Sequence, residues 1–504
     1  MPEHLRALVV ILILAAVFFS FVRKSALSIT TATNFKRRRN MWFAITLAAF
    51  LAMNFWMFLA IAIPMLIYAN RQEPNPTALY FSILFALPVA FFLISGMGLI
   101  NYLFNLSYAR LLALLILFPA YLSLRKQNNT PSFGRTGPDK ALAAFLVLVV
   151  ILSLRESSLS DSMRQTFYVF IDIFLPYVVV SRSLKDMQTF RDALQSLLLA
   201  IMFLALVAIF ESPRHWLLYS SLTQSLELNG GMTGYLGRDS MLRAIATAGQ
   251  PIALGYLMVV GIGLYLFLQQ SIQQKFARRL GMALLIAGLI APLSRGPWVG
   301  FVALLVVFIA TGRNPSRRLF TLVMVAIFSL PLISILPGGE KAINLLPFIG
   351  STEKGNVDYR SNLLTNSWIV IQRNPGFGST NFLDTPELQA MRQGQHIIDI
   401  VNSYIEIALE NGLVGLGLFI SFFALTLLGI FRAMRSIPDR GSEEYLLGRV
   451  LLATLLSILV IIFTVSSITV VPIVYWPFAG LGVAYAQMVK NNSKQQGSTF
   501  KRHT

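Results

Sequence analysis

Between His396 and Phe419 the chain reads HIIDIVNSYIEIALENGLVGLGLF, and its polar side chains lead into a hydrocarbon-like run. At about 100° per residue, His396, Asp399, Asn402, Glu406 and Glu410 fall at roughly 0°, 300°, 240°, 280° and 320°, an arc of about 120° on one helix. Carboxylates at a bilayer boundary are costly and face a protein interior or a watered cavity. A one-sided stripe of this kind reads as the wall of a polar cleft. Asp399 and His396 are its candidate proton acceptors for a hydroxyl nucleophile, and a base within about 3 Å typically contributes 10²–10⁴-fold to such a reaction. Asn402 and Tyr404 are candidate binding residues, able to hydrogen-bond a ligand. Glu406 and Glu410 are expected to support the site by pairing with arginines and orienting them.

The arginines in question are Arg243 in RDSMLRAIATAGQPIALGY, Arg295 in LSRGPWVG, and Arg360 and Arg373, which flank a segment of helical spacing in DYRSNLLTNSWIVIQR. A guanidinium binds phosphate oxygens in pairs and stays charged in a partly dehydrated site. The same residues also have plain readings, as anchors reaching lipid headgroups or as surface salt bridges, for example Arg360 with Asp358 or Glu353. Arg392 and Arg110 are weaker candidates.

Such groups must be held by elements that cross a membrane. Of 504 residues 56% are hydrophobic and 12% charged, a balance that excludes an ordinary soluble domain. There is no cysteine, so disulfide and thiolate chemistry are excluded, and with 4 histidines no metal site is expected. No cofactor is implied. About fourteen apolar runs are long enough to span or nearly span a bilayer, near 5–22, 41–69, 78–100, 106–124, 141–154, 165–181, 193–211, 250–268, 280–293, 297–311, 319–337, 403–431, 450–469 and 470–489. The expected fold is an all-α polytopic transmembrane bundle of about 12–14 helices, a single integral membrane domain over 1–504. Residues 338–402 form its large external loop, with short helices, between the helices near 319–337 and 403–431. Residues 490–504 form a basic tail.

The net charge of +19 is distributed by topology. Lys and Arg cluster in alternating gaps, at 23–40, 125–140, 182–192, 275–279, 312–318, 432–449 and beyond 490, which the positive-inside bias makes cytoplasmic, the C-terminus included. Attraction to anionic membrane lipids accounts for this charge, and no folded basic domain is present to hold nucleic acid. From 125 onward the parity of crossings closes. Before 125 three apolar runs lie between two basic gaps, so one of the first four segments is expected to be split, re-entrant or interfacial. The first run lacks a small-residue cleavage site before Arg23 and reads as a retained anchor.

Two long external segments carry the remaining information. In 338–402 the acids Glu340, Glu353, Asp358, Asp384, Glu387 and Asp399 alternate with Lys341, Lys354, Arg360, Arg373 and Arg392, and Pro-Gly turns punctuate a short amphipathic helix with Leu363, Leu364, Trp368 and Ile371 on its apolar face. In 211–244, Trp216, Tyr219 and Tyr235 read as boundary aromatics and His215 as interfacial.

Taken in order, RDSMLRAIATAGQPIALGY (238–256), LSRGPWVG (293–300), an external loop with an Arg followed by Trp and a Pro-Gly turn, and NSYIEIALENGLVGL (402–416) resemble the O-antigen ligase and polysaccharide polymerase superfamily of bacterial inner membranes. The resemblance spans roughly residues 238–431. It implies an inverting, metal-independent glycosyltransferase that takes a glycan from a polyprenyl-pyrophosphate carrier on the outer face and passes it to an acceptor hydroxyl, on a lipid-linked glycan or a lipid A core. By motif position Arg243, Arg295 and Arg360 would hold the pyrophosphate. Family members commonly carry a His directly before the Asn of the last motif, where this chain has Val401. His396, five residues earlier, would lie about 140° away on a helix and does not simply replace it. The resemblance covers both polymerase and ligase; Val401 and the extra N-terminal segments favour a polymerase of exopolysaccharide or O-antigen, with a ligase to lipid A core or a protein O-oligosaccharyltransferase as the alternative. A permease for a solute such as bicarbonate is the alternative of another class. It would call for two repeating halves with paired broken helices, and no second copy of the NSYIEIALENG segment occurs.

Overall fold

The computed structural model describes residues 1–504 apart from 97, 99–101, 129, 156–157, 239–240, 336–353, 394–396 and 501–504. The described chain is an all-α polytopic bundle. Eight helices are long and apolar enough to cross a membrane: Glu3–Ala26, Tyr108–Lys126, Leu159–Ser183, Met187–Arg214, Pro251–Ser271, Ser403–Arg435, Glu443–Ile462 and Val470–Ser493. Phe55–Arg71 and Arg295–Ala310 are shorter apolar helices beside them. Sheet is confined, among the described residues, to two small hairpins, Phe91–Ser95 with Tyr102–Ser107 and Gly237–Arg238 with Met241–Leu242.

Pro251–Leu268 lies at the centre. It is apolar all round, as a helix enclosed by other helices must be, and it packs on Met187–Arg214, Lys275–Ile290, Arg295–Ala310 and Glu443–Ile462. Its small residues set the separations: a Cβ on Gly255 would lie 2.7 Å from the Pro297 ring, and one on Gly261 2.7 Å from the Ile201 side chain. Without water to drive helices together, this close contact of surfaces supplies much of the cohesion.

The run at 41–69 is not one segment. Ala32–Leu51 ends at an extended Ala52, and Asn54 starts Phe55–Arg71 by accepting from the Met57 amide at 2.9 Å. Arg38 bonds both Glu73, at 2.6 Å, and Asp192, at 2.6 Å, while the Asn75 amide donates to Asp192 at 3.1 Å. Residues 38 and 73 therefore share one end of the bundle, and the two helices form an antiparallel hairpin.

Two further runs break for identifiable reasons. The run at 78–100 is helical only over Pro76–Ile83; beyond it the chain extends, with Val89 donating to Thr247 O at 3.2 Å and Phe91 paired with Asn229. Pro88 has no amide hydrogen to continue a helix. The run at 450–469 is helical to Ile462 and then becomes the loop 463–469. At the C-terminus, helix Val470–Phe500 continues through much of the segment read as a tail.

Candidate functional site

The loop FTVSSIT, 463–469, is where the chemistry-bearing residues meet. Ser403, the first residue of its helix, donates from both its amide and its hydroxyl to Val465 O, at 3.0 and 2.8 Å. Four residues before it, the Asp399 carboxylate accepts from Ser466 Oγ at 3.0 Å. One turn into the helix, Glu406 accepts from the Ser467 amide at 3.0 Å. On the other flank Arg360 Nη2 donates to Thr464 O at 3.3 Å. Gly296, beside Arg295, fits against the same loop, since a Cβ there would lie 2.4 Å from Thr464 Oγ1.

A second set of contacts fixes the turn that carries Arg295. Arg243 Nε donates to Pro292 O at 3.1 Å, the Ala244 amide to Ala291 O at 3.3 Å, and Arg238 to Leu293 O. Arg238, Arg243 and Arg295 are each engaged further by neighbours. The segment is organised from below by Glu211, fully buried at the end of Met187–Arg214, whose carboxylate accepts from the amides of Leu218, Ile245 and Ala246 at 3.1, 3.1 and 2.9 Å. Three backbone donors satisfy this carboxylate where an unpaired charge would be prohibitive.

Arg238 and Asp399 both act on Arg360. Partial desolvation lowers the Arg360 pKa, Asp399 opposes the fall, and Arg238 adds to it. The guanidinium remains charged at any ordinary pH. Tyr359 places Asp399 from the neighbouring position, donating to Asp399 O at 3.1 Å and accepting from the Asp399 amide at 3.2 Å. Burial raises the Tyr359 pKa, so it stays a neutral donor.

The single helical stripe expected over 396–410 does not form. The helix begins only at Ser403, and Asp399 lies in an extended lead-in. Asn402 is its cap, with the side-chain oxygen accepting from Tyr404 and Ile405 amides at 2.9 and 3.3 Å. An Asn before a helical run is a strong start signal that the periodicity argument overlooked. Tyr404 turns inward, donating to Leu459 O at 2.9 Å. Glu406 is held by a backbone amide where an arginine partner was expected. His396 lies outside the described residues. Val401 packs, with Ile398 and Ile405, on a small core of Leu363, Val370, Ile371 and Leu409, so an apolar contact occupies the position before Asn402.

That small core attaches the external helix Lys354–Arg373 to the start of Ser403–Arg435. Its apolar face is narrower than the spacing implied: Leu363 and Ile371 are buried, while Leu364 and Trp368 are exposed. Arg373 is paired with Glu387, Nη1 to Oε2 at 3.0 Å, on the exposed side. Arg392 donates to Gln389 at 2.6 Å. Of the boundary aromatics, Tyr219 is a core residue, Trp216 donates to Glu3 at 3.1 Å, and Tyr235 is exposed. His215 ends Met187–Arg214 in the left-handed conformation.

The helix breaks again at Gly412, with φ +70°, and the turn NPGFGS docks into the break. Leu413 donates to Pro375 O at 2.8 Å, Val414 to Gly376 O at 3.2 Å, and Ser379 to Leu409 O at 2.9 Å. A Cβ on Gly412 would lie 2.2 Å from Gly376 O. Arg155, which the sequence argument passed over, closes the joint by donating to the carbonyls of Phe377 and Gly378 at 3.0 Å and of Glu410 at 3.1 Å. Its signal was available: a basic residue at the external end of an apolar run, against the positive-inside trend. Arg238 and the serines of FTVSSIT were missed because the first lay outside any periodic segment and the second were absorbed into an apolar run.

The arrangement offers cationic groups around the 291–295 turn and Thr464, with the carboxylates of Asp399 and Glu406 on the same loop. It suits an anionic leaving group beside a hydroxyl nucleophile. Among the described residues no group of three or more His, Asp or Glu is placed to hold a metal ion. A family model described as O-antigen ligase matches residues 280–420, the segment from the helix before Arg295 to the broken helix at Gly412. No curated protein matches the chain.

Proposed function

We propose, from the match of residues 280–420 to the O-antigen ligase family, that the chain is a membrane glycan-transfer enzyme, a polymerase using polyprenyl-pyrophosphate-linked oligosaccharides on the periplasmic face of a bacterial inner membrane. The observation that carries this reading is the convergence of Arg360 and Asp399 on the loop 463–469, with Gly296 of the Arg295 turn packed against the same loop. In the reaction the glycosidic C–O bond to the pyrophosphate breaks and its electron pair stays on the leaving oxygen. Arg360, Arg295 and Arg243 stabilise the charge that builds there, an effect larger in a partly dehydrated site than in water. The acceptor hydroxyl forms the new C–O bond from the opposite face, and its proton passes to Asp399. The products are a glycan longer by one transfer and the carrier pyrophosphate. No metal and no cofactor take part in this scheme.

The ends of the bundle fit that orientation. Arg38, Arg182 and Arg191 lie at one end, opposite the site, and the positive-inside bias makes theirs the cytoplasmic end, together with the C-terminus. The ligase alternative shares donor and chemistry and differs only in acceptor, a lipid A core or a protein. The test is deletion of the gene in its host, followed by sizing of carrier-linked glycans and of surface polysaccharide, with complementation by wild type and by Arg360→Ala. Accumulated single repeats with loss of long surface chains identify a polymerase; long chains retained on the carrier identify a ligase. No change in either pool overturns glycan transfer and leaves the permease reading.

A further inference from the structure

A cavity of about 550 Å³ is lined in part by Ser467, Ile468 and Thr469 of the 463–469 loop, and Arg360 is not among its lining residues. Ser467 is common to both: its amide holds Glu406 and it also lines the cavity. Phe85, Phe91 and Tyr108 form part of its apolar wall, and Thr233, Gln250 and Thr469 are among its polar groups. The Thr469 hydroxyl is buried without a hydrogen-bond partner. This size is that of a small-molecule site.

One ion pair stands in this wall, Arg110 with Asp172 at 2.7 Å. Each residue sits where its helix is irregular: Asp172 within the π-helical turn Val169–Phe174, Arg110 just before the π-helical turn Ala113–Leu117. π-Turns are rare and concentrate at functional sites, and an ionised pair inside a transmembrane bundle marks function more often than stability. Arg110 is fully committed. Its Nε bonds both Asp172 oxygens at 3.1 Å, its Nη1 bonds Asn105 O at 2.7 Å, and its guanidinium lies 3.7 Å over the Tyr168 ring. Asp172 keeps 36% of its side chain exposed against 16% for Arg110, so the carboxylate is the group still open to a ligand.

Those facts select the ligand. The cationic charge of Arg110 is already matched, so the cavity has little to offer a pyrophosphate. A carboxylate with free lone pairs, neighbouring amide and hydroxyl groups, and aromatic faces suit an uncharged, hydroxyl-rich sugar ring. We propose that this cavity is the subsite for the sugar of the acceptor, with Asp172 accepting from its hydroxyls and Arg110 positioning that carboxylate. The proposal rests on the glycan-transfer reading, and the reacting hydroxyl of the acceptor reaches Asp399 past Ser467, the loop residue that lines the cavity and holds Glu406.

The test uses the full chain in lipid nanodiscs, with chain-loaded carrier as donor and radiolabelled single-repeat carrier as acceptor, each titrated with the other saturating. Asp172→Asn should raise KM for the acceptor by about tenfold or more, the loss of charge-assisted hydrogen bonds, with KM for the donor unchanged. Ala109→Phe, which keeps the ion pair and fills the cavity, should do the same and guards against a folding defect in the first variant. Unchanged acceptor KM in both variants, or a rise confined to the donor, overturns the subsite while leaving glycan transfer standing. Absence of transfer by the wild type overturns both.

Discussion

Two groups of arginines are held differently, those at the end opposite the site and Arg360 with Arg155 beside it. In the first group the partners are carboxylates: buried Arg38 lies between Glu73 and Asp192, buried Arg182 pairs with Asp139 at 2.6 Å, and half-exposed Arg191 pairs with Glu443. At the site end the contacts of Arg360 and Arg155 go to main-chain carbonyls, of Thr464 for the first and of Leu152, Phe377, Gly378 and Glu410 for the second. A carboxylate neutralises a guanidinium; a carbonyl fixes its position and leaves most of its charge available. The first arrangement holds helices together, whereas the second suits a site that must meet an anion.

The contrast is sharpest in what removal of each kind of arginine does. Arg38→Ala leaves buried Asp192 without its cation and Glu73 with only the longer contact from Arg37 at 3.4 Å, a loss of about 3–5 kcal/mol; the melting temperature in detergent should fall steeply while turnover per folded molecule is retained. Arg360→Ala should do the reverse, lowering kcat by about 10²–10³-fold, as removal of one oriented charge stabiliser does, with little change in melting temperature. An unfolded Arg360→Ala protein, or an inactive but stable Arg38→Ala protein, would break the comparison. Gly412→Ala tests the joint: forcing a side chain into the left-handed region costs about 1–3 kcal/mol before the clash with Gly376 is counted, so both stability and transfer should fall, and proteolysis should find the external loop sooner. The smallest effect belongs to Arg373→Ala at the exposed end. The hydrogen bond from Arg373 depresses the Glu387 pKa. That contribution is present above the unfolded pKa and is lost as pH falls through the depressed folded value, so wild type and variant should melt alike at low pH and differ barely at neutral pH, less still in 1 M salt.

Composition made the fold class legible, because burial in a membrane demands apolar runs of fixed length. What hydropathy could not separate were elements that share the same apolar character. Ala52-Met53-Asn54 is a turn inside an unbroken run, and FTVSSIT is a loop between two. In both places the local signal was a single polar side chain, Asn54 or the Ser466-Ser467 pair, too small to change a windowed average. Arg295 heads its helix, Arg243 bonds Pro292 O in the turn before it, and Arg360 bonds Thr464 O in the loop. The stripe on one helix failed because Asn402 caps the helix it was assumed to continue through. Asp399 reaches the loop from an extended strand of chain, and periodicity has no account of such a path.

The hairpin of Ala32–Leu51 and Phe55–Arg71 bears on how the chain is made. Its arms are joined by three residues, so the two helices pack as a pair from the moment both are made. Arg38 then waits, charged, near one membrane face until Asp192, more than a hundred residues later in synthesis, arrives to complete its partners. Assembly of the first helices is in this sense provisional, and a ribosome stalled before Met187–Arg214 emerges would leave them as a substrate for membrane quality control.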